Sequence, residues 1–242
     1  MALTGACPGT VLPQIATGIP SGRLVLLGGI LGGVLFSKFG KPLISKVNAK
    51  DQELLEKPTI HQALGVDPGR ALALYEALCL SIVAAVGYWA PETHEVLVPS
   101  VVGGLLIGGS QVASLFLTGN TLGVSTAYEQ IGDLFWWVKE RIVDGKERAR
   151  PTIKATAFIV GSIAGSFGVS RLVDIPTPVN EVRIDGLQAV IGGVLLTFGA
   201  KIAGGCTSGH GISGMSQLSI SSIASVAAMF AGGMGLAALL GK

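Results

Sequence analysis

The chain has 242 residues, of which 49% are apolar and 13% charged, and its net charge is +2. An average soluble domain carries about 25% charged residues, so this composition, with a mean hydropathy of +0.62, places the chain in a membrane and excludes a basic nucleic-acid-binding surface. Three cysteines, an odd number at no metal-like spacing, exclude both a disulfide framework and a zinc site.

The first ten residues, Met1–Thr10, lack the basic and apolar regions of a signal peptide and contain Gly5-Ala6-Cys7-Pro8-Gly9-Thr10. An apolar run follows, and a span is predicted near 16–37. Its Gly28-Gly29 and Gly32-Gly33 pairs, four residues apart, form a small-residue face suited to close helix packing. Lys38–Arg70 is a connection carrying six basic residues and punctuated by Pro42, Pro58 and Pro68. The second span, 71–89, ends in Tyr88-Trp89, an interfacial aromatic pair. Glu76 lies one turn inside it, either a functional intramembrane acid or a side chain that snorkels or pairs with Arg70. Cys79 reads as a small packing hydrophobe.

After an acidic turn at Pro91–Glu95 the third span covers 96–117. A polar break, Thr118-Gly119-Asn120-Thr121-Leu122-Gly123, leads into an amphipathic piece through Trp136-Trp137. Lys139–Lys154 carries another six basic residues. Further spans are predicted near 153–173, 187–203 and 216–240, with the polar loop Asp174–Asp185 between the first two. Loop charge puts both basic connections on the cytoplasmic side. That demands one net crossing between 96 and 138, supplied by 96–117, and makes the piece after Asn120 a half-penetrating element.

The stretch Gly204-Gly205-Cys206-Thr207-Ser208-Gly209-His210-Gly211 lies between two apolar runs. Each glycine costs ~1 kcal/mol in a helix interior, and irregular backbone at membrane depth is tolerated only inside protein or along a cavity. The stretch therefore reads as a broken helix or re-entrant loop that sets Cys206 in a pathway; the alternative is a tight turn with an inert thiol. It echoes Gly5–Thr10. Val102-Gly103-Gly104-Leu105-Leu106 also resembles Ile191-Gly192-Gly193-Val194-Leu195, and paired broken segments in two halves of a chain point to a transport site near the midplane. A single membrane transport domain over 1–242 is expected, with a first-repeat remnant at about 1–90 and a second repeat at about 96–242.

The pairing of Gly5–Thr10 with Ala203–Gly211 resembles the YeeE/YedE family of sulfur-compound transporters, whose characterised substrate is thiosulfate. The late motif is the more specific, and the likeness runs from the early cysteine loop to the last helix. The resemblance implies an all-α polytopic membrane bundle with an inverted internal repeat and inward Gly-rich loops, a transporter rather than an enzyme. It implies a narrow substrate path at Cys7, Cys206, Gly205, Thr207, Ser208, Gly209, His210, Asn120 and Lys201, with no cofactor and no metal. A plasma (cytoplasmic) membrane location, a thiosulfate-like anion, the lipid bilayer and a cytoplasmic sulfur-accepting protein are the implied setting and partners, with no nucleic acid. Two departures stand out: the family's first helix and its cysteine have no counterpart before Met1, which suggests a shortened chain, and Asn120 stands where some members have a cysteine.

The residues suit a dianion. Half-helix N-termini offer N–H groups and a favourable dipole. Apolar surroundings raise a thiol's pKa, so Cys7 and Cys206 are expected to stay protonated and to donate. Lys201, five residues before Cys206, either attracts the anion or snorkels; His210 either lines the path or ties the loop. Asn120, Ser125, Gln130 and Gln217 are path groups or interhelical glue. Two other classes stay open: a membrane sulfurtransferase with a persulfide on Cys206, and an accessory membrane subunit.

Overall fold

The computed structural model describes residues 2–44, 59–89, 98–119, 123–145, 149–173 and 184–239, and the regular elements among them are all helices. They are α1 (Val11–Ala16), α2 (Pro20–Leu35), α3 (Ile60–Leu64), α4 (Pro68–Trp89), α5 (Ser100–Thr118), α6 (Val124–Val143), α7 (Lys154–Leu172), α8 (Gly186–Ile202) and α9 (Ile220–Leu239), with π-helical turns at Phe36–Gly40 and Gly209–Gly214. Five of the helical segments are long and apolar enough to cross a membrane, and α8 is a shorter apolar helix. The protein is an all-α polytopic helical bundle. Asn120, the turn at 91–95 and most of the loop at 174–185 lie outside the described residues.

Span boundaries differ from the sequence reading for local reasons. The first span begins at Pro20 because Gly18, at φ +80°, turns the chain after α1. It ends later because the π-turn carries the helix on to Ile44, so Lys38 and Lys41 are helical rather than part of a connection. The last begins at Ile220 because Leu218 takes φ +56°, a conformation rare for a bulky residue. Its carbonyl accepts the Ile60 N–H at 3.0 Å.

The core lies where α1, α2, α6, α7 and α8 meet. The glycine face of α2 permits it. A Cβ at Gly28 would stand 2.2 Å from the Val190 carbonyl oxygen on α8, and one at Gly33 would stand 2.2 Å from the Tyr128 carbonyl oxygen on α6. Gly132 of α6 and Gly193 of α8 meet α2 backbone just as closely. Such approach maximises dispersion contact where no hydrophobic drive separates helix from lipid.

The piece after Asn120, read from the sequence as half-penetrating, is α6, a continuous helix of 20 residues, about 30 Å long at 1.5 Å per residue, and it is not among the five segments long and apolar enough to cross a membrane. Its N-terminal half packs into the core, with Ala127 at 0% and Tyr128 at 1% exposure. Its acids can enter because lysines of α2 and α8 meet them. The Gln130 side-chain oxygen accepts from the backbone N–H groups of Ala155 (2.9 Å) and Thr156 (3.2 Å), satisfying orphan donors at the start of α7.

Basic residues gather around the tryptophans of α6. Lys38 and Lys139 both stand by Trp136, their Nζ atoms 4.5 and 5.0 Å from its ring centroid. Arg141 and Arg150 attend Trp137 at 5.2 and 5.8 Å.

Candidate functional site

Both cysteine loops arrive at the N-terminal end of α6. In the early loop the Cys7 N–H donates to the Thr10 hydroxyl at 2.8 Å, and the Thr10 N–H faces the Cys7 sulfur at 3.4 Å. The buried Tyr128 hydroxyl donates to the Pro8 carbonyl at 3.0 Å and so fastens this loop to α6. The loop is anchored to α8 as well, through Gln188 Nε2 and the Leu3 carbonyl at 3.1 Å.

The late loop begins where α8 ends. Gly204 takes φ +82°, a left-handed conformation that glycine adopts without a Cβ penalty. Gly205 is required for a different reason: a Cβ there would lie 3.0 Å from His210 Nε2. His210 bridges the loop, its Nδ1 2.9 Å from Ser222 Oγ on α9 and its Nε2 3.0 Å from the Ala203 carbonyl. Its role in the geometry is to hold the loop between α8 and α9.

Cys206 is buried, with 1% of its surface exposed. Ser208 Oγ lies 3.0 Å from its sulfur. The Ser125 N–H and hydroxyl and the Gly209 N–H also bond to that sulfur. The Ser125 and Gly209 groups approach the sulfur as donors, while its own S–H stays able to donate, to Ser208 Oγ or to a passing anion. The sequence suggested only apolar surroundings, and the Ser125 groups come from α6, 81 residues away in the chain.

The structure brings Cys7 and Ser208 to the same point. A Cβ on Gly9 would touch Ser208 Oγ at 3.6 Å, Cys7 Sγ at 3.7 Å and Val124 Cγ2 at 3.7 Å. Gly9 thus leaves open the small space between the two loops. Beside it a cavity of about 490 Å³ is lined by Pro8, Cys206 and Thr207 together with glycines and apolar residues of α8 and α9. Cys7 is half-buried and is not among the residues lining that cavity.

Lys201 is not at a free entrance. Its ammonium pairs with Glu129 of α6, which also pairs with Lys41 at 2.9 Å; Lys41 reaches Asp133 at 2.7 Å. Sequence reasoning left Tyr128, Glu129, Asp133 and Lys41 unassigned, although Ser125, Glu129 and Asp133 recur every four residues and so share one helix face. Asn120 lies outside the described residues. Cys79 is half-buried on α4, with the Tyr75 hydroxyl one turn away as its neighbour, and takes no part in the site. Glu76 and Gln217 are exposed. Among the described residues no group of three His, Cys, Asp or Glu side chains is placed to hold a metal.

Comparison with known proteins adds a function to this geometry. Residues 1–235 match the protein family described as sulphur transport. Two proteins named "Probable transporter", from Xylella fastidiosa strains 9a5c and Temecula1, are each 29% identical over 154 residues, covering 64% of this chain and 96% of theirs.

Proposed function

The chain belongs to the sulphur transport family, and from that premise we propose that it takes up a small sulfur-containing anion, thiosulfate or a close relative, through the space between the Cys7 and Cys206 loops. The family is described as sulphur transport, and the named relatives are probable transporters. The finer reading rests on one observation, the convergence of donors from two chain-distant elements on the Cys206 sulfur. Backbone and hydroxyl donors bind an anion without the permanent cation that would hold it too long. They can be shared between the resident sulfur and a passing one. Sulfur is polarizable, so the thiol suits a terminal sulfur better than a hydroxyl does. The path residues in this reading are Cys7, Cys206, Thr207, Ser208 and Gly209, with Gly205 and His210 shaping the loop. The site is read as that of a plasma-membrane carrier.

The test is uptake of ³⁵S-thiosulfate by sulfur-starved cells at matched protein level in the membrane. Losing a hydrogen bond to a charged group costs about 1.5–3 kcal/mol, a slowing of roughly tenfold to a hundredfold at ~1.4 kcal/mol per decade. Cys206→Ala is expected to lose uptake to that degree, Cys206→Ser to keep a weakened rate, and Cys79→Ala to match the parent. Unaltered uptake by Cys206→Ala would remove the cysteine from the path. Label that stays covalently bound to the protein after washing would instead favour a sulfurtransferase carrying a persulfide on Cys206.

A further inference from the structure

Four charged side chains from three helices form one chain of ion pairs below the cysteines: Lys201 of α8, Glu129 of α6, Lys41 after the α2 π-turn, and Asp133 of α6. Two ammoniums and two carboxylates leave the group neutral. The Lys201 side chain is only 11% exposed and that of Glu129 20%. Lys41 and Asp133 are 39% and 30% exposed, so the cost of burial falls on the Lys201–Glu129 pair, for which an apolar substitute of the same volume is often as stable; helix cohesion alone does not account for that pair. Lys41 lies within a segment long and apolar enough to cross a membrane, and ionisable groups in such segments mark pathways by default.

Its position is specific. Along α6, Ser125 bonds the Cys206 sulfur, Glu129 one turn on holds both lysines, and Asp133 another turn on faces a polar cavity of about 510 Å³. Four residues of helix rise about 6 Å, so each step is a short hop for a small ion. Lys41 and Asp133 line that cavity with Lys38, Lys139, Glu140 and Asp144, whereas Glu129 and Lys201 do not. The ion-pair chain therefore stands between the cysteine layer and this cavity beside Trp136.

We propose that Lys201 and Lys41 are a second binding station for the transported sulfur oxyanion, which takes the place of the Glu129 carboxylate and is expelled into the cavity beside Trp136 when that carboxylate returns. The inference rests on the reading of the chain as a carrier of a sulfur anion. Each ammonium has three donors and no acceptor, and each now spends donors on carboxylate oxygens that a sulfur oxyanion can replace. A dianion added beside an unmoved Glu129 and Asp133 would set four negative charges against two positive ones, so entry requires exchange. Exchange also limits residence: the tethered carboxylate competes continuously for the same donors. A station must be attractive enough to enter and weak enough to leave, and a built-in competitor provides both. No covalent bond changes in this step.

The experiment measures equilibrium binding of ³⁵S-thiosulfate and ³⁵S-sulfate to the purified full chain, and uptake of thiosulfate by the same chain in liposomes. Glu129→Gln is expected to bind both anions at least tenfold more tightly and to transport with lowered KM and lowered kcat, because the competitor is gone. The double variant Glu129→Gln, Lys201→Met is expected to lose that gain. Lys201→Arg is expected to keep binding within a few-fold and Lys201→Met to lose tenfold or more, while Lys154→Met, exposed at the start of α7, matches the parent. A folded Glu129→Gln protein that binds neither anion more tightly overturns the station. Should Glu129→Gln fail to fold, equal binding by Lys201→Arg and Lys201→Met overturns it. Cys206→Ala separates the two claims. Uptake lost in Cys206→Ala with no effect at Glu129 leaves the cysteine path and removes the station; uptake kept in Cys206→Ala with tighter binding in Glu129→Gln does the reverse.

Discussion

Two helices of this protein carry nearly the same glycine pattern and have opposite fates. In α2, Gly28-Gly29 and Gly32-Gly33 meet neighbours so closely that added Cβ atoms would lie 2.2–2.9 Å from atoms of α6 and α8. In α5, added Cβ atoms at Gly103-Gly104 and Gly108-Gly109 would meet nothing within 4 Å among the described residues, and Leu105 between them is 71% exposed. Paired glycines thus state that a helix can be approached, and the partner decides whether it is. α2 has one on each side; α5 presents an apolar surface for lipid to solvate and touches the site through Gln111 Nε2, 2.9 Å from Ser213 Oγ in the late π-turn.

The sharpest way to break this contrast is to fill both patterns. Gly33→Leu should prevent α2 and α6 from meeting; overpacking costs about 1–3 kcal/mol and sometimes more, and the expected result is a strongly lowered melting temperature or loss of monodisperse protein. Gly104→Leu should shift the melting temperature hardly at all, within about 0.5 kcal/mol. Equal damage from both would mean that α5 has a partner in the membrane. Within the packed region, Tyr128→Phe leaves the Pro8 carbonyl without its donor, at about 1–3 kcal/mol, and should quicken maleimide labelling of Cys7 as the early loop loosens. Gln130→Ala removes the acceptor at the start of α7; by analogy with an N-cap residue it should cost about 0.5–2 kcal/mol, seen as faster hydrogen exchange at Ala155 and Thr156. A Tyr128→Phe protein with unchanged Cys7 labelling would show that the early loop is held by its own Thr10 clasp instead.

Spans and small-residue faces were legible in the sequence because they are local: hydropathy over twenty residues and spacing of four are read within one helix. The late Gly-Cys loop was legible because glycine, cysteine and histidine crowd into eight positions, Gly204–Gly211, and the early one because Gly5–Thr10 echoes it. What the sequence withheld depends on partners far along the chain. Ser125, Glu129 and Asp133 look like the wetted side of an amphipathic helix, and only the folded chain places Lys41 and Lys201 opposite them. Because charge usually faces water, nothing in the sequence marked the first turns of α6 as part of the core. Lys201 read as a lone cation for the same reason. Leu218 gave no warning of its left-handed backbone, since nothing in its type asks for one.

The π-turn at Phe36–Gly40 has a consequence for how this protein tolerates change. There the Lys41 N–H bonds to the Phe36 carbonyl, five residues back, so the turn holds one residue more than an α-helix would. Gly40 makes room for it, since a Cβ would lie 2.2 Å from the Phe36 ring. At 3.6 residues per turn, each residue added or removed rotates everything downstream by about 100°. The facing of Lys41 toward Glu129 is therefore fixed by a count rather than by a chemistry. Deletion of one residue there would restore a regular helix and swing the ammonium a quarter-turn away, and would also displace the Ser37 hydroxyl from the Glu129 carbonyl to which it donates at 3.3 Å. In lineages of this chain, gaps in that five-residue window and the loss of Lys41 or Glu129 should travel together.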